Sequence, residues 1–184
     1  MERTGDPQRA ESRERNGAMK ITKRTDRKKE FLDLLLLGDE QESRIDTYLE
    51  RGEMFLLEED GIKAECVVTK EGDGVYEIKN IAVAPDCRRR GYGRTLIEYV
   101  FTHCADCHTL TAGTGESALT LPFYKKCGFE EFGRVKNFFI DHYDHPIFEA
   151  GVQLVDMIYL RKRRAQKGSE EENCDRKDKE STTV

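Results

Sequence analysis

Apolar positions along the chain change period repeatedly, and each change marks a new element. Met19 opens a short strand-like run, MKIT. Lys28 to Leu37 then places apolar residues at helical spacing and stops at Gly38. Asp39 is positioned to cap a second amphipathic helix, with Ile45, Tyr48 and Leu49 on one face and Gly52 as its stop. Three extended runs follow, EMFLLEED, IKAECVVTK and VYEIKNIAV, separated by turn signals at Asp60-Gly61 and Gly72 to Gly74. This spacing predicts antiparallel hairpins.

From Gly93 the period becomes helical, with Leu96, Ile97, Val100 and Cys104 on one face. Thr109 to Ala112 reads as another strand, and a short helix carrying Phe123 and Tyr124 ends at Gly128. Two further strand-like segments, Phe129 to Val135 and Val152 to Leu160, enclose a loop rich in aromatics and histidines. The order of elements predicts a mixed α+β sheet flanked by helices.

Charge is unevenly spread. Met1 to Ala18, and the segment after Leu160 beginning RKRRAQK, are polar without an apolar period and read as solvated tails. The boundaries expected are therefore a tail at 1–18, one domain at 19–160 and a charged tail at 161–184. The central part, about 140 residues, is a common size for a single domain. A net charge of −5 gives no overall basic field for nucleic acid. No run is long or apolar enough to span a membrane, and the start lacks the apolar core of a signal peptide. Six cysteines without such a signal are most simply reduced thiols, which predicts a cytoplasmic protein.

The most informative stretch is RRRGYGRTL, residues 88 to 96, where a strand feeds a glycine-containing turn and then a helix. Such a turn exposes unpaired backbone N–H groups at the positive end of the helix dipole and so forms an anion seat. Arginines beside it add charge-assisted bonds to phosphate. A dinucleotide fingerprint requires a third glycine where Leu96 stands, and a Walker loop requires Gly-Lys-Ser/Thr, which is absent. The remaining rival is a basic patch for nucleic acid, but Tyr92 and the amphipathic helix imply a packed turn. A pyrophosphate seat is preferred.

Cys104-Ala105-Asp106-Cys107, flanked by His103 and His108, raises a metal site, with His142 and His145 as further ligands. Zinc ribbons need a second close cysteine pair, which does not occur at a matching spacing, so a helix end with partly buried thiols is expected and no metal.

Arg88-Arg89-Arg90-Gly91-Tyr92-Gly93 matches R-x-x-G-x-G, the pyrophosphate loop of the GNAT superfamily of N-acetyltransferases. EIKNIAVAPDCRRRGYG resembles that family's fourth strand and loop, and FYKKCGFEE its late helix and following strand. The resemblance extends in element order over Met19 to Leu160, and within it LLLLGDEQESRIDTYLERGEMFLL and FFIDHYDHPIFEAGVQLVDMIYL look like a small bacterial subgroup. It implies a mainly antiparallel central sheet flanked by about four helices. It also implies acetyl-CoA as co-substrate, with an amine as acceptor: small molecule, peptide N-terminus or lysine side chain. A homodimer is compatible with it.

Acetyl transfer to an amine requires loss of the amine's proton, donors for the oxyanion, and a proton or positive field for the leaving thiolate. The resemblance assigns Glu77 as general base and Tyr124 as the acid serving the coenzyme A sulfur. It assigns the main chain of Ile81, Ala82 and Val83 to the pantetheine arm, and Arg88, Arg89, Arg90, Gly91, Tyr92 and Gly93 to the pyrophosphate. Two departures stand out. Pro122 falls in or just before the tyrosine helix, and Glu116 replaces a frequent asparagine for which Ser117 is the substitute. Phe139, Tyr143 and Glu149, with Phe138, Asp141 and Asp144, are candidates for the acceptor site. Cys127 is the nearest nucleophile for a covalent alternative. A non-catalytic acyl-CoA sensor on the same fold is the rival from another class, and the presence of both Glu77 and Tyr124 argues for the enzyme.

Overall fold

A computed structural model describes residues 17–164, so the polar stretches at 1–16 and 165–184 lie outside the described residues. β1 (Lys20–Arg24) leads through a 3-10 turn (Lys28–Phe31) into α1 (Leu32–Leu35) and α2 (Glu42–Leu49). The three extended runs become β2 (Glu53–Glu58), β3 (Ile62–Gly72) and β4 (Val75–Val83). A second 3-10 turn (Pro85–Cys87) precedes α3 (Tyr92–His103), followed by β5 (Thr109–Gly115), α4 (Thr120–Lys126) and β6 (Glu130–Val135). α5 (Phe138–His142) and a small hairpin, β7 (Phe148–Glu149) with β8 (Val152–Gln153), lead to β9 (Met157–Arg163).

Seven strands form one sheet in the order β1-β2-β3-β4-β5-β9-β6, in which only β4 and β5 run parallel. Alternation divides the apolar side chains between two faces. Phe55, Leu57, Cys66, Val68 and Ile78 pack beneath Leu96, Ile97 and Val100 of α3, while Met54, Leu56 and Val67 face Leu35, Ile45 and Leu49 of α1 and α2. A smaller cluster of Phe139, Ile147 and Leu154 lies under the α5 segment.

Five expectations change. The helix expected over Lys28 to Leu37 is a 3-10 turn and one α-helical turn. Lys28 is turned inward there, its Nζ donating to the carbonyls of Leu49, Glu50 and Gly52 at 2.9, 3.0 and 2.8 Å and so capping the negative end of α2. Asp39 does not cap α2, whose N-cap position is Gln41. A fifth helix, α5, stands inside the aromatic loop, and the run from Val152 to Leu160 is divided between β8 and β9.

Finally, the domain does not stop at Leu160: β9 continues to Arg163, which pairs with Thr109. Sheet pairing satisfies that backbone, and Lys162 and Arg164 each lie 5.2 Å from the Phe101 ring centroid. Charged residues with apolar stems thus finish a strand that their polarity conceals.

Candidate active site

β4 and β5 pair only from Val75↔Thr109 to Ile78↔Ala112. Just beyond, β3 pairs Val67 with Asn80 and Val68 with Ile78, so Lys79 is an extra residue that bends β4 away from its neighbour. The edge of β4 that faced β5 therefore has no strand partner over Lys79 to Val83. The Ala84 N–H donates to Lys63 in the direction of β3 at 2.8 Å. Alternation then turns the main-chain groups of Ile81 and Val83 to the open side, and those of Ala82 toward β3. The Val83 carbonyl accepts from Arg88 Nε at 3.4 Å, in agreement with that orientation. Of the three residues assigned to the pantetheine arm, Ile81 and Val83 turn main-chain groups to the open side and Ala82 does not.

The parting of the strands opens a cleft of about 380 Å³. Its walls bring together Glu77 and Ile81 of β4, Tyr124 of α4, and Phe139, Tyr143 and Glu149 of the late segment. These come from distant parts of the chain, as their expected shared role requires. Asp141 and Asp144 are exposed and do not line the cleft.

Glu77 is half-buried and its Oε1 lies 2.9 Å from Lys79 Nζ. Lys79 also lies 3.4 Å from Glu71, which Arg51 meets at 2.9 Å. The Thr69 hydroxyl, with Arg51 and Lys79, holds the Glu71 carboxyl down at about 2. Across the cleft, Tyr124 is only 5% exposed, and burial pushes its phenol well above the usual range, so it keeps its proton at neutral pH. Pro122 sits within the first turn of α4, where its missing N–H costs no helical bond, and the helix starts at Thr120. The Thr120 hydroxyl donates to Glu149 Oε2 at 3.2 Å.

The arginine–glycine loop lies beside this cleft rather than in its lining. Arg88, Arg89 and Arg90 are exposed and form no ion pair among the described residues. Gly91 adopts φ +90° at the N-cap of α3, with open space where a Cβ would stand. No side chain caps that helix, so its first N–H groups are free to meet an anion. Gly93 has a different reason to be glycine: a Cβ there would stand 3.2 Å from Phe123 Cζ. Its lack of a side chain lets α3 pack closely on α4. Tyr92 is buried, and its hydroxyl donates to Glu59, which leaves its N–H as the group available to a ligand.

Ser117 is buried and outside the cleft lining, and its Oγ accepts the Leu119 N–H at 3.0 Å. Glu116 is held by Arg134 through a bidentate pair at 2.9 and 3.0 Å. Among the described residues no group of three or more His, Cys, Asp or Glu side chains is placed to hold a metal ion. No helix there is long and apolar enough to cross a membrane.

Sequence reasoning missed several lining residues: Asp39, Arg44, Tyr48, Lys79, Thr120 and Tyr159. Asp39 is desolvated, which raises its carboxyl pKa, and it accepts from Tyr143 at 3.1 Å. Tyr159 is raised by burial and then by the Glu77 carboxylate. Alternation along β9 was the available signal for Tyr159; nothing local distinguishes the others.

A sheet opened between one parallel strand pair, with an uncapped helix N-terminus at its mouth, is the arrangement of the GNAT acetyltransferases, and this chain belongs to that family. The family model described as "Acetyltransferase (GNAT) domain" matches residues 50–131. The uncharacterized N-acetyltransferase YvbK of Bacillus subtilis (strain 168) is 39% identical over 137 residues, covering 71% of this chain and 87% of that protein. A GNAT family acetyltransferase from Elizabethkingia anophelis, solved with acetyl-CoA bound, is 35% identical with a TM-score of 0.74, over 79% of this chain and 98% of that one. A Bacillus subtilis acetyltransferase in complex with CoA is 34% identical with a TM-score of 0.73, over 80% and 99%.

Proposed function

We propose that the protein transfers the acetyl group of acetyl-CoA to a primary amine, which attacks directly while both substrates are bound. The observation that carries this reading is the partnerless edge of β4, where Ile81 and Val83 turn main-chain groups toward an opening shared by Glu77 and Tyr124. The CoA-bound neighbours motivate the donor.

In this reading the free N–H groups after Gly91 and the arginines at 88 to 90 hold the pyrophosphate. Ile81 and Val83 align the pantetheine arm through backbone bonds. Bound acetyl-CoA supplies an activated thioester. Glu77 takes the proton that the ammonium must lose. Tyr124, kept protonated by burial, gives its proton to the departing sulfur.

The covalent route through Cys127 is disfavoured, because the thiol is 5% exposed and burial raises its pKa, leaving little thiolate. The test is a panel of primary amines with acetyl-CoA, followed by free-thiol release. Intersecting initial-rate lines are expected. Parallel lines with an acetylated Cys127 overturn direct attack, and absence of thiol release with every amine overturns the reading as a whole.

A further inference from the structure

Three cations line the cleft, Arg44, Arg51 and Lys79, and two of them are already committed. Lys79 meets Glu77 and Glu71, and Arg51 meets Glu71. Arg44, on α2, forms no ion pair among the described residues, and its Nε is buried without a hydrogen-bond partner. A buried donor left unpaired costs more than a paired one gains, so this arrangement has a vacancy for an acceptor.

The guanidinium is held in place by rings. Its central carbon lies 5.3 Å from the Phe138 ring centroid and 5.6 Å from that of Tyr143. Aromatic contact steadies the plane of the fork without using its N–H donors. Asp39 is near enough to feel Arg44, but its Oδ1 already accepts from the Tyr143 hydroxyl and the Gln41 N–H, and it forms no ion pair with Arg44.

We propose that the acceptor amine also carries a carboxylate, as an amino acid does, and that Arg44 seats this carboxylate while the amine faces Glu77. The inference rests on the amine-acetylation reading above and narrows its substrate class. A planar fork matches a carboxylate in two parallel N–H···O bonds, which a hydrated ammonium or a neutral amide does not reproduce. Glu77 and Arg44 line the same cleft, so an amine facing one leaves a carboxylate free to meet the other.

The experiment compares matched pairs, leucine with leucinamide and methionine with methioninamide, in acetyl-CoA turnover. The amide's ammonium is the more acidic of each pair, so ionisation alone favours the amide. The expected result is the reverse: kcat/KM higher for the carboxylate by on the order of tenfold to a hundredfold, mainly through KM. Arg44→Gln collapses the ratio toward one, and Arg44→Lys restores part of it. Because the ratio is measured within one enzyme, a general loss of stability does not mimic the effect. Equal kcat/KM within each pair, or a ratio unchanged in Arg44→Gln, overturns the proposal.

A second arm is independent of turnover. The CoA-saturated protein is titrated with N-acetyl-leucine and N-acetyl-leucinamide by ligand-observed NMR. Tighter binding of the carboxylate, lost in Arg44→Gln, supports the seat even if no amine is acetylated. Equal or undetectable binding of the two overturns it.

Discussion

The phenol of Tyr143 donates to Oδ1 of Asp39 at 3.1 Å across 104 residues of sequence. The Asp144 N–H adds a bond to Gln41 Oε1 at 3.2 Å, so the late aromatic segment is fastened over the link between α1 and α2. In the proposed reading this fastening shapes the acceptor side of the cleft, while the pantetheine arm uses the β4 edge. Tyr143→Phe is expected to cost about 0.5–1.5 kcal/mol of stability. It is expected to raise KM for the amine several-fold while acetyl-CoA KM moves little. Steady-state kinetics and urea unfolding check this, and equal shifts in both KM values would contradict it.

Glu77→Gln keeps the shape of the side chain and removes its basicity. A loss of about 10²–10⁴ in kcat/KM near neutral pH is expected for a positioned base. Activity partly returns as pH rises, because more amine is already deprotonated. A pH–rate profile parallel to that of the unaltered enzyme argues against the base role.

Tyr124→Phe deletes a hydroxyl that matters most as the sulfur leaves. A fall in kcat with nearly unchanged acetyl-CoA affinity is expected, since only transition-state stabilisation is removed. Calorimetric titration alongside turnover separates the two quantities. Weakened acetyl-CoA binding with normal kcat would make Tyr124 a packing residue.

The loop glycines fail in different ways. Gly91→Ala meets no neighbour but forces an L-residue to φ +90°, at a cost of about 1–2 kcal/mol. Gly93→Val drives a branched side chain into Phe123, an overpacking cost of about 1–3 kcal/mol, and pushes that ring toward the cleft. Denaturant unfolding ranks the two. Full acetyl-CoA affinity in Gly91→Ala would remove the loop from the pyrophosphate seat.

Glu65 is fully buried in β3 with neither carboxylate oxygen hydrogen-bonded, and desolvation raises its pKa well above the ordinary value. Below about pH 4.3 both folded and unfolded chains hold the proton. Above it the unfolded chain ionises freely while the folded carboxyl stays neutral, so stability falls as pH rises until the folded pKa is passed. Glu65→Gln removes this penalty. A gain of about 1–3 kcal/mol at pH 8 that disappears near pH 4 is expected from thermal unfolding. A pH-independent difference would exclude ionisation as the cause.

The hairpins of β2 to β4 and the helix after the arginine loop were legible in the sequence because their signals are local: alternation, Asp-Gly turns, and apolar residues at helical spacing. The same locality made RRRGYG recognisable, since a turn and the helix it opens are contiguous. It also explains the limits. Glycine at 93 reads only as a loop glycine in the sequence, and the position of Phe123 shows that it also lets two helices pack closely. The strand hidden in Arg161 to Arg163 depends on pairing with Thr109 to Thr111, far away in the chain. The parting of β4 from β5 after Ile78 arises from the extra residue at Lys79, which no pattern in β4 alone exposes. Arg44 looks like any polar position on an amphipathic helix until Phe138 and Tyr143 fold over it. Sequence determined the elements and the arginine–glycine turn; tertiary packing decided which charges are left without partners, because ion pairing and burial are properties of neighbours in space.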